Sequence, residues 1–394
     1  MREGFLRLCA LAACLAAGVC RAGDGIDRNA RDFVRASLIV AGPGDGMLAS
    51  VGHACLRLEC PTFQLDNCFT CEHEPARLPF LSVFFERLGM GLFVVPTEKF
   101  LAPYASAGRE VTAYPLNLPP EVKTRLWQLL DEEAAKGGGA RYDYVENACT
   151  QAVVRELMDA LKGYPCAERS WPDRYMRTRR EIFADALATR PWERAFLHMV
   201  VGTAFDKAGT FVQKVILPTD LVDYLQGLSV GPDHQRVLDK AGVKTLVSNR
   251  RPPEKTPWVT PTRVAALLVV LSLVNLVRRV PGLTAGLLCI QAVIAVFLTY
   301  FYGFSHLPTT NWNWLLVPFN PLPLAAWRWR RYFAVPYAVL LLGWTLGLAA
   351  APHQLTDPAY LVLAVACAMC WSNVDGRLQV RILRWCEERR RMKT

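Results

Sequence analysis

The sequence predicts an α+β domain followed by an all-α transmembrane bundle of about five spans, and three observations predict it. Short strand-like alternations near residues 50–72 give way to helical periodicity further on. A proline-rich stretch, NRRPPEKTPWVTPT at 249–262, then leads into long apolar runs. Basic residues gather beside those runs, as they do in cytoplasmic loops of membrane proteins. The organisation that follows is a signal sequence or anchor at 1–22, an exported domain at 23–250, a linker at 251–262, a bundle at 263–376 and a basic tail at 377–394.

Each element has its own warrant. The opening MREGFLRLCALAACLAAGVCRA has a basic start, a short apolar core and a small-residue end, which reads as a signal sequence cleaved near Ala22 or kept as an anchor. LAAC, ending at Cys14, resembles a lipobox with a short apolar run before it. The segments SVGHACLRLE (50–59) and FQLDNCFTCE (63–72) alternate like adjacent strands joined by a proline turn. Within them His53 and Asp66 fall on the less apolar parity. REVTAYPLNLPP reads as a further strand, and PPEVKTRLWQLLDEEAAKGGG as a helix opened by proline and stopped by glycine. PWERAFLHMVVG and PTDLVDYLQGL read as later helices.

The apolar runs 264–277, 282–302, 332–350 and 359–372 make four spans. With residues 23–257 outside, four spans would leave the tail RLQVRILRWCEERRRMK outside too, against the positive-inside rule. Counting WNWLLVPFNPLPLAAW (312–327) as a broken fifth span puts Arg278–Arg279, the cluster at Arg328, Arg330 and Arg331, and the tail in the cytoplasm. Such a span must be buried in protein or line a cavity; the plain alternative is a re-entrant loop packed for structural reasons.

Composition narrows the function. Apolar residues are 52% of the chain and the net charge is +10, but no basic stripe interleaved with aromatics argues for nucleic acid. Of the 13 cysteines, the exported part keeps Cys55, Cys60, Cys68, Cys71, Cys149 and Cys166. Export makes disulfides the expectation among Cys55, Cys60, Cys68 and Cys71. A zinc site from Cys60, Cys68, Cys71 and His73 is the alternative, but its spacing fits no standard finger and no metal is expected.

Cys149 stands apart, in YDYVENACTQAVVREL (142–157). Apolar positions 153, 157 and 161 predict a helix, with Asn147 as its N-cap. Backbone N–H groups and the positive end of the helix dipole would favour a thiolate there, and with Asn147 and Thr150 form a cap or oxyanion site. A nucleophilic thiol needs a base and an orienting partner, so Cys149–His53–Asp66 is the most economical constellation. Against it stand two plain readings: a buried thiol that behaves as a small apolar residue, and a structural strand histidine.

The succession GHACLRLE, FQLDN, REVTAYPLNLPPE and RYDYVENACTQAVVREL resembles the periplasmic domain of the Lnb-type lipoprotein N-acyltransferases. Similarity extends to GTAFDKAGTFVQKVILPTDLVDYL and to HLPTTNWNWLLVPFNPLPL in the apolar half. The resemblance implies a circularly permuted, papain-like (NlpC-type) thiol domain, with Cys149 as nucleophile, His53 as base and Asp66 or Asn67 as orienting group. It implies transfer of a phospholipid acyl chain, through a thioester, to the α-amine of a diacylglyceryl-cysteine lipoprotein. No cofactor is implied. The location implied is the bacterial inner membrane, multi-pass, with the thiol domain in the periplasm and the C-terminus in the cytoplasm. Trp312, Asn313 and Asn320 are candidates for an acyl groove. Ala148, directly before the thiol, and the cysteine-rich stretch 60–71 depart from the family pattern. A membrane-anchored thiol hydrolase and a non-catalytic envelope binding module, with Cys149 paired to Cys166, are the rival readings.

Overall fold

The structure is a computed structural model that describes residues 30, 33–45, 49–73, 89–137, 140–141, 148–168, 177–207, 215–238, 241–252, 254–278, 280, 282–321, 329–350, 356–372, 374 and 377–391. The expected signal segment, Asn147 and residues 322–327 of the expected broken span lie outside these residues. The chain forms two units, one of Met1–Tyr175 with Gly209–Pro253 and one of Met176–Ala208 with Glu254–Thr394.

The first unit is built on an antiparallel sheet. Its strands are β1 (Arg35–Ala41), β2 (His53–Cys60), β3 (Leu65–His73), β4 (Gly89–Pro96), β5 (Val111–Pro115), β6 (Ala140–Arg141) and β10 (Lys244–Val247), in the order β10-β5-β1-β2-β3-β4-β6. Pro61 ends β2 in a single 3₁₀ turn, and Gln64, with φ of 53°, reverses the chain into β3. Alternation then sorts the side chains onto two faces. Ala54, Leu56, Leu58, Cys60 and Phe69 face the larger core. That core is completed by α2 (Pro120–Lys136), α3 (Cys149–Ala160) and α6 (Pro218–Gly227). Cys55, Cys68, Ile39 and Val111 face a smaller core under α1 (Thr97–Ser106). The α2 helix starts on Pro120 and stops at Gly137, as its sequence predicts. A separate small sheet joins β7 (Cys166–Glu168), β8 (Leu228–Val230) and β9 (Gln235–Arg236).

The same alternation narrows the disulfide expectation to one pair. Cys55, Cys60, Cys68 and Cys71 are all free thiols. Cys60 and Cys71 share a parity but lie at opposite ends of the strand pair, since Cys60 opposes Leu65. Cys55 and Cys68 meet on the other face, thiol to thiol. Four cysteines close in sequence are thus split by the pleat, which also keeps them from sharing a metal. Among the described residues no cluster of metal-ligating side chains occurs.

The second unit contains α4 (Arg179–Ala186), α5 (Pro191–Val200), α7 (Pro261–Val277), α8 (Leu283–Phe304), α9 (Arg330–Ala350), α10 (Pro358–Ser372) and α11 (Arg377–Arg391). Residues 176–208, which the sequence reading assigns to the exported domain, therefore pack with the apolar helices. The α8 helix is the one described helix long and apolar enough by itself to cross a membrane. Apolar helices at Pro261–Val277, Ala334–Gly347 and Pro358–Trp371 are shorter.

Hydrogen bonds show which ends of these helices lie together. Trp192 Nε1 donates to the Val259 carbonyl just before α7. Tyr360 at the start of α10 donates to the Ala195 carbonyl, and Arg194 pairs with Asp357 at 2.9 Å. Gly202 N–H donates to the Thr309 carbonyl, and the Thr310 hydroxyl reaches the Phe301 carbonyl near the end of α8. So the starts of α7 and α10 and the end of α8 gather at α5. At the other end, Cys370 contacts the Thr284 carbonyl, and Trp371 donates to Gln291, which also bonds Tyr337 of α9.

Candidate active site

His53 is delivered by the turn before β2. Gly52 has φ of +92°, and a Cβ there would lie 2.6 Å from the Ala41 carbonyl oxygen. Only glycine allows the chain to pass so close to β1 and present the next residue's ring. Cys149 is the first residue of α3, with Ala148 as an N-cap that makes no side-chain bond. The thiol therefore stands one position nearer the helix start than an Asn147 cap would put it. The α3 helix is fixed beneath it by Val153, Val154 and Leu157 in the core.

These two residues, 96 positions apart in sequence, meet. The Cys149 sulfur and the His53 ring interact with each other, and the backbone N–H groups of Ala54 and Thr150 act on the sulfur as well. Burial by itself would push the thiol up, but the charge and hydrogen bond of His53, followed by those two N–H groups, outweigh it and hold the thiol below its ordinary value. For His53 burial pulls downward, while Cys149 and then Glu72 pull harder the other way, so the imidazole sits above its ordinary value. The result is a group pair biased toward thiolate and imidazolium. The His53 side chain keeps 16% of its exposure, so the pair is reachable.

The remaining ring contact is with β3. His53 Nε2 lies 2.7 Å from Thr70 Oγ1, and the Thr70 hydroxyl donates to Glu72 Oε1 at 3.0 Å. Glu72 Oε1 is itself 3.9 Å from Nε2. Continuing the β2–β3 register from the Leu56–Phe69 pair sets Glu72 opposite His53.

Asp66 is not at this site. It has the expected parity, but the register pairs it with Glu59, six residues along β2 from His53 and so about 20 Å away at strand rise. Its carboxylate binds Arg57 at 2.6 and 2.7 Å and accepts from Thr97 at 2.6 Å. Asn67, the other candidate, opposes Leu58. Thr70 and Glu72 went unnoticed because parity selects a face and leaves the position along it open; counting back from the Pro61 turn would have found them.

Thr150 has a different part from the one expected of its side chain. Its hydroxyl is buried and donates to the Ile216 carbonyl at 2.9 Å, tying α3 down; only its N–H faces the sulfur. In the second unit, Asn313 is buried and donates to the Met199 and Val201 carbonyls at 2.7 and 3.3 Å. Asn320 donates to the Val317 carbonyl at 2.8 Å, while Trp312, with φ of 56°, is 72% exposed. Asn313 thus staples backbone to backbone, and of the three groove candidates Trp312 alone offers a broad free surface.

Comparison with known proteins gives one family match, to the Lnb N-terminal periplasmic domain, over residues 27–178. No curated protein and no solved structure compared with the chain matches it. The matched segment holds His53, Thr70, Glu72 and Cys149 together, and it supports a likeness of this part of the chain to the Lnb-type lipoprotein N-acyltransferases.

Proposed function

We propose that the protein is a membrane-bound lipoprotein N-acyltransferase with Cys149 as nucleophile and His53 as base. The thiolate attacks an ester carbonyl of a phospholipid, and backbone N–H groups at the helix start face the developing oxyanion. Collapse forms the thioester, and the lysophospholipid alkoxide leaves with the proton held by His53. The α-amine of a diacylglyceryl-cysteine then attacks the thioester carbonyl, gives its proton to His53, and releases the N-acylated product and the thiolate.

Both substrates are held in lipid, which accounts for a thiol domain fused to apolar helices: confinement to one surface raises effective concentration. The second unit supports a bilayer setting. Leu267, Val270, Leu273 and Val277 on α7, Val293 and Val296 on α8, and Val335, Val339 and Leu346 on α9 are exposed, a surface too apolar for water. Trp192, Trp258, Trp312 and Trp314 are exposed near the end where α5 lies, as interfacial aromatics are.

The pairing of helix ends favours five crossings. If α7 enters from outside, α8 returns, and α9 must start inside, because Tyr337 in its second turn meets Gln291 and Trp371. The stretch between α8 and α9 therefore makes the inward crossing, with Leu315 and Phe319 fully buried and the Pro318 carbonyl bonded by Tyr337. The α10 helix then ends inside, and the basic α11 stays in the cytoplasm beside it. A permuted papain-like arrangement suits the first unit, with the thiol on a helix start and the imidazole on a strand.

The test is to supply purified protein with labelled phospholipid, with and without a diacylated lipopeptide. Acyl transfer to the peptide amine, lost in Cys149→Ser, is the expected result. Free fatty acid released equally with or without acceptor would favour a hydrolase, and full transfer by Cys149→Ser would refute the thiol mechanism.

A further inference from the structure

We propose that Thr70, backed by Glu72, is the positioning pair that orients His53, in the place where a carboxylate or amide usually contacts the base directly. The inference rests on the Cys149–His53 reading and supplies its missing third member. Its ground is a proton count. A threonine hydroxyl has one proton, and here it is donated to Glu72 Oε1 at 3.0 Å. Toward His53 the same oxygen can therefore only accept, and at 2.7 Å from Nε2 it does. Nε2 must then carry hydrogen, which fixes the neutral tautomer and leaves the Nδ1 lone pair as the ring's base.

The arrangement is also anchored. Thr70 is fully buried in the middle of β3, and Glu72, two residues on, projects from the same face with its side chain 47% exposed. When His53 accepts a proton, the imidazolium donates from Nε2 into a hydroxyl already polarised by a carboxylate. The negative charge is delivered through one intervening oxygen, with no carboxylate buried against the ring. The charged or titratable groups around His53 are Cys149 from α3, Glu72 from β3 and Arg109 from the loop after α1, with Tyr104 of α1 beside them. Arg109 opposes the imidazolium, so Glu72 is the one nearby carboxylate among the described residues that favours it.

Thr70→Val removes the acceptor at nearly constant volume, and kcat should fall about 10- to 100-fold. Thr70→Ser should restore most of that loss. The distinguishing measurement is the alkaline limb of the kcat/KM profile, which reports loss of the proton from His53 in the free enzyme. Glu72→Gln removes the charge that favours imidazolium, so this limb should move to lower pH; Asp66→Asn should leave it in place. A merely structural threonine would not move it. Glu72 is half exposed, so its variant remains informative even if the buried Thr70→Val fails to fold. If Thr70→Val and Glu72→Gln keep the wild-type rate and limb while Cys149→Ala is inactive, this assignment is wrong and the thiol mechanism stands. If Cys149→Ala retains activity, the thiol mechanism itself has failed.

Discussion

Each unit of the molecule packs a histidine among its elements, His53 partly buried and His198 fully, and the two are treated in opposite ways. In the first unit His53 has polar partners: the Cys149 thiol beside its ring and Thr70 at Nε2. In the second unit His198, on α5, is 3% exposed, and neither ring nitrogen has a hydrogen-bond partner among the described residues. Its neighbours are cations. Burial first, then Arg180 and Arg194, depress His198 to about 3, so it stays neutral at any physiological pH. Arg180 is itself fully buried, paired with Asp206 at 2.9 Å and donating to the carbonyls of His198, Val201 and Gly202. A histidine becomes a base through what surrounds it: anionic or polarisable partners and a path to substrate, or else cations and closure.

The largest effect that sharpens this contrast is on turnover. His53→Ala or Cys149→Ala should lower acyl transfer by about 10⁴-fold or more, as loss of a base or nucleophile does elsewhere. His198→Leu, assayed in folded protein, should keep the reaction. Comparable losses from the His53 and His198 variants would break the contrast.

Next in size is Arg180→Met. Removing the guanidinium takes away the ion pair with Asp206 and the bonds to three carbonyls, and stability should drop by about 3–5 kcal/mol, read by thermal unfolding in detergent. Gly202, beside it, tolerates no side chain, because a Cβ would lie 1.8 Å from the Asn311 carbonyl oxygen. Unchanged unfolding of Arg180→Met would mean that this polar centre is not structural.

A smaller effect is pH-dependent. The folded value of His198 lies below its unfolded value of 6.5, so the unfolded chain binds more protons in the acid range. The contribution to stability is complete above 6.5 and is lost as pH falls toward about 3. A loss of about 1–3 kcal/mol is expected between pH 7 and pH 4.5, and His198→Leu should lessen it. An equal acid dependence in both proteins would place its origin elsewhere.

How much of this was legible in the sequence depended on whether the feature is local. Gly52-His53, the Pro120 start and Gly137 stop of α2, and the helix after Cys149 are local, and each was readable. The pairing of His53 with Cys149 was reached through the chemistry a thiol requires. Asp66 was misplaced because position along a strand depends on register, which the 3₁₀ turn at Pro61–Phe63 sets. The disulfide expectation was likewise unspecific about partners: the pleat separates Cys60 and Cys71 from Cys55 and Cys68, and only Cys55 and Cys68 meet. Residues 176–208 look like a continuation of the exported domain, because nothing in their own periodicity says that Arg180 and Asn313 both bond the Val201 carbonyl.

The account rests on a thiol whose ionisation the ring beside it favours. Alkylation of Cys149 by iodoacetamide, followed across pH by mass spectrometry of its peptide, reads that state directly. The rate should reach half its maximum below the ordinary thiol value of about 8.5, and His53→Ala should shift that midpoint upward. A midpoint at or above 8.5 that His53→Ala leaves unchanged would contradict it.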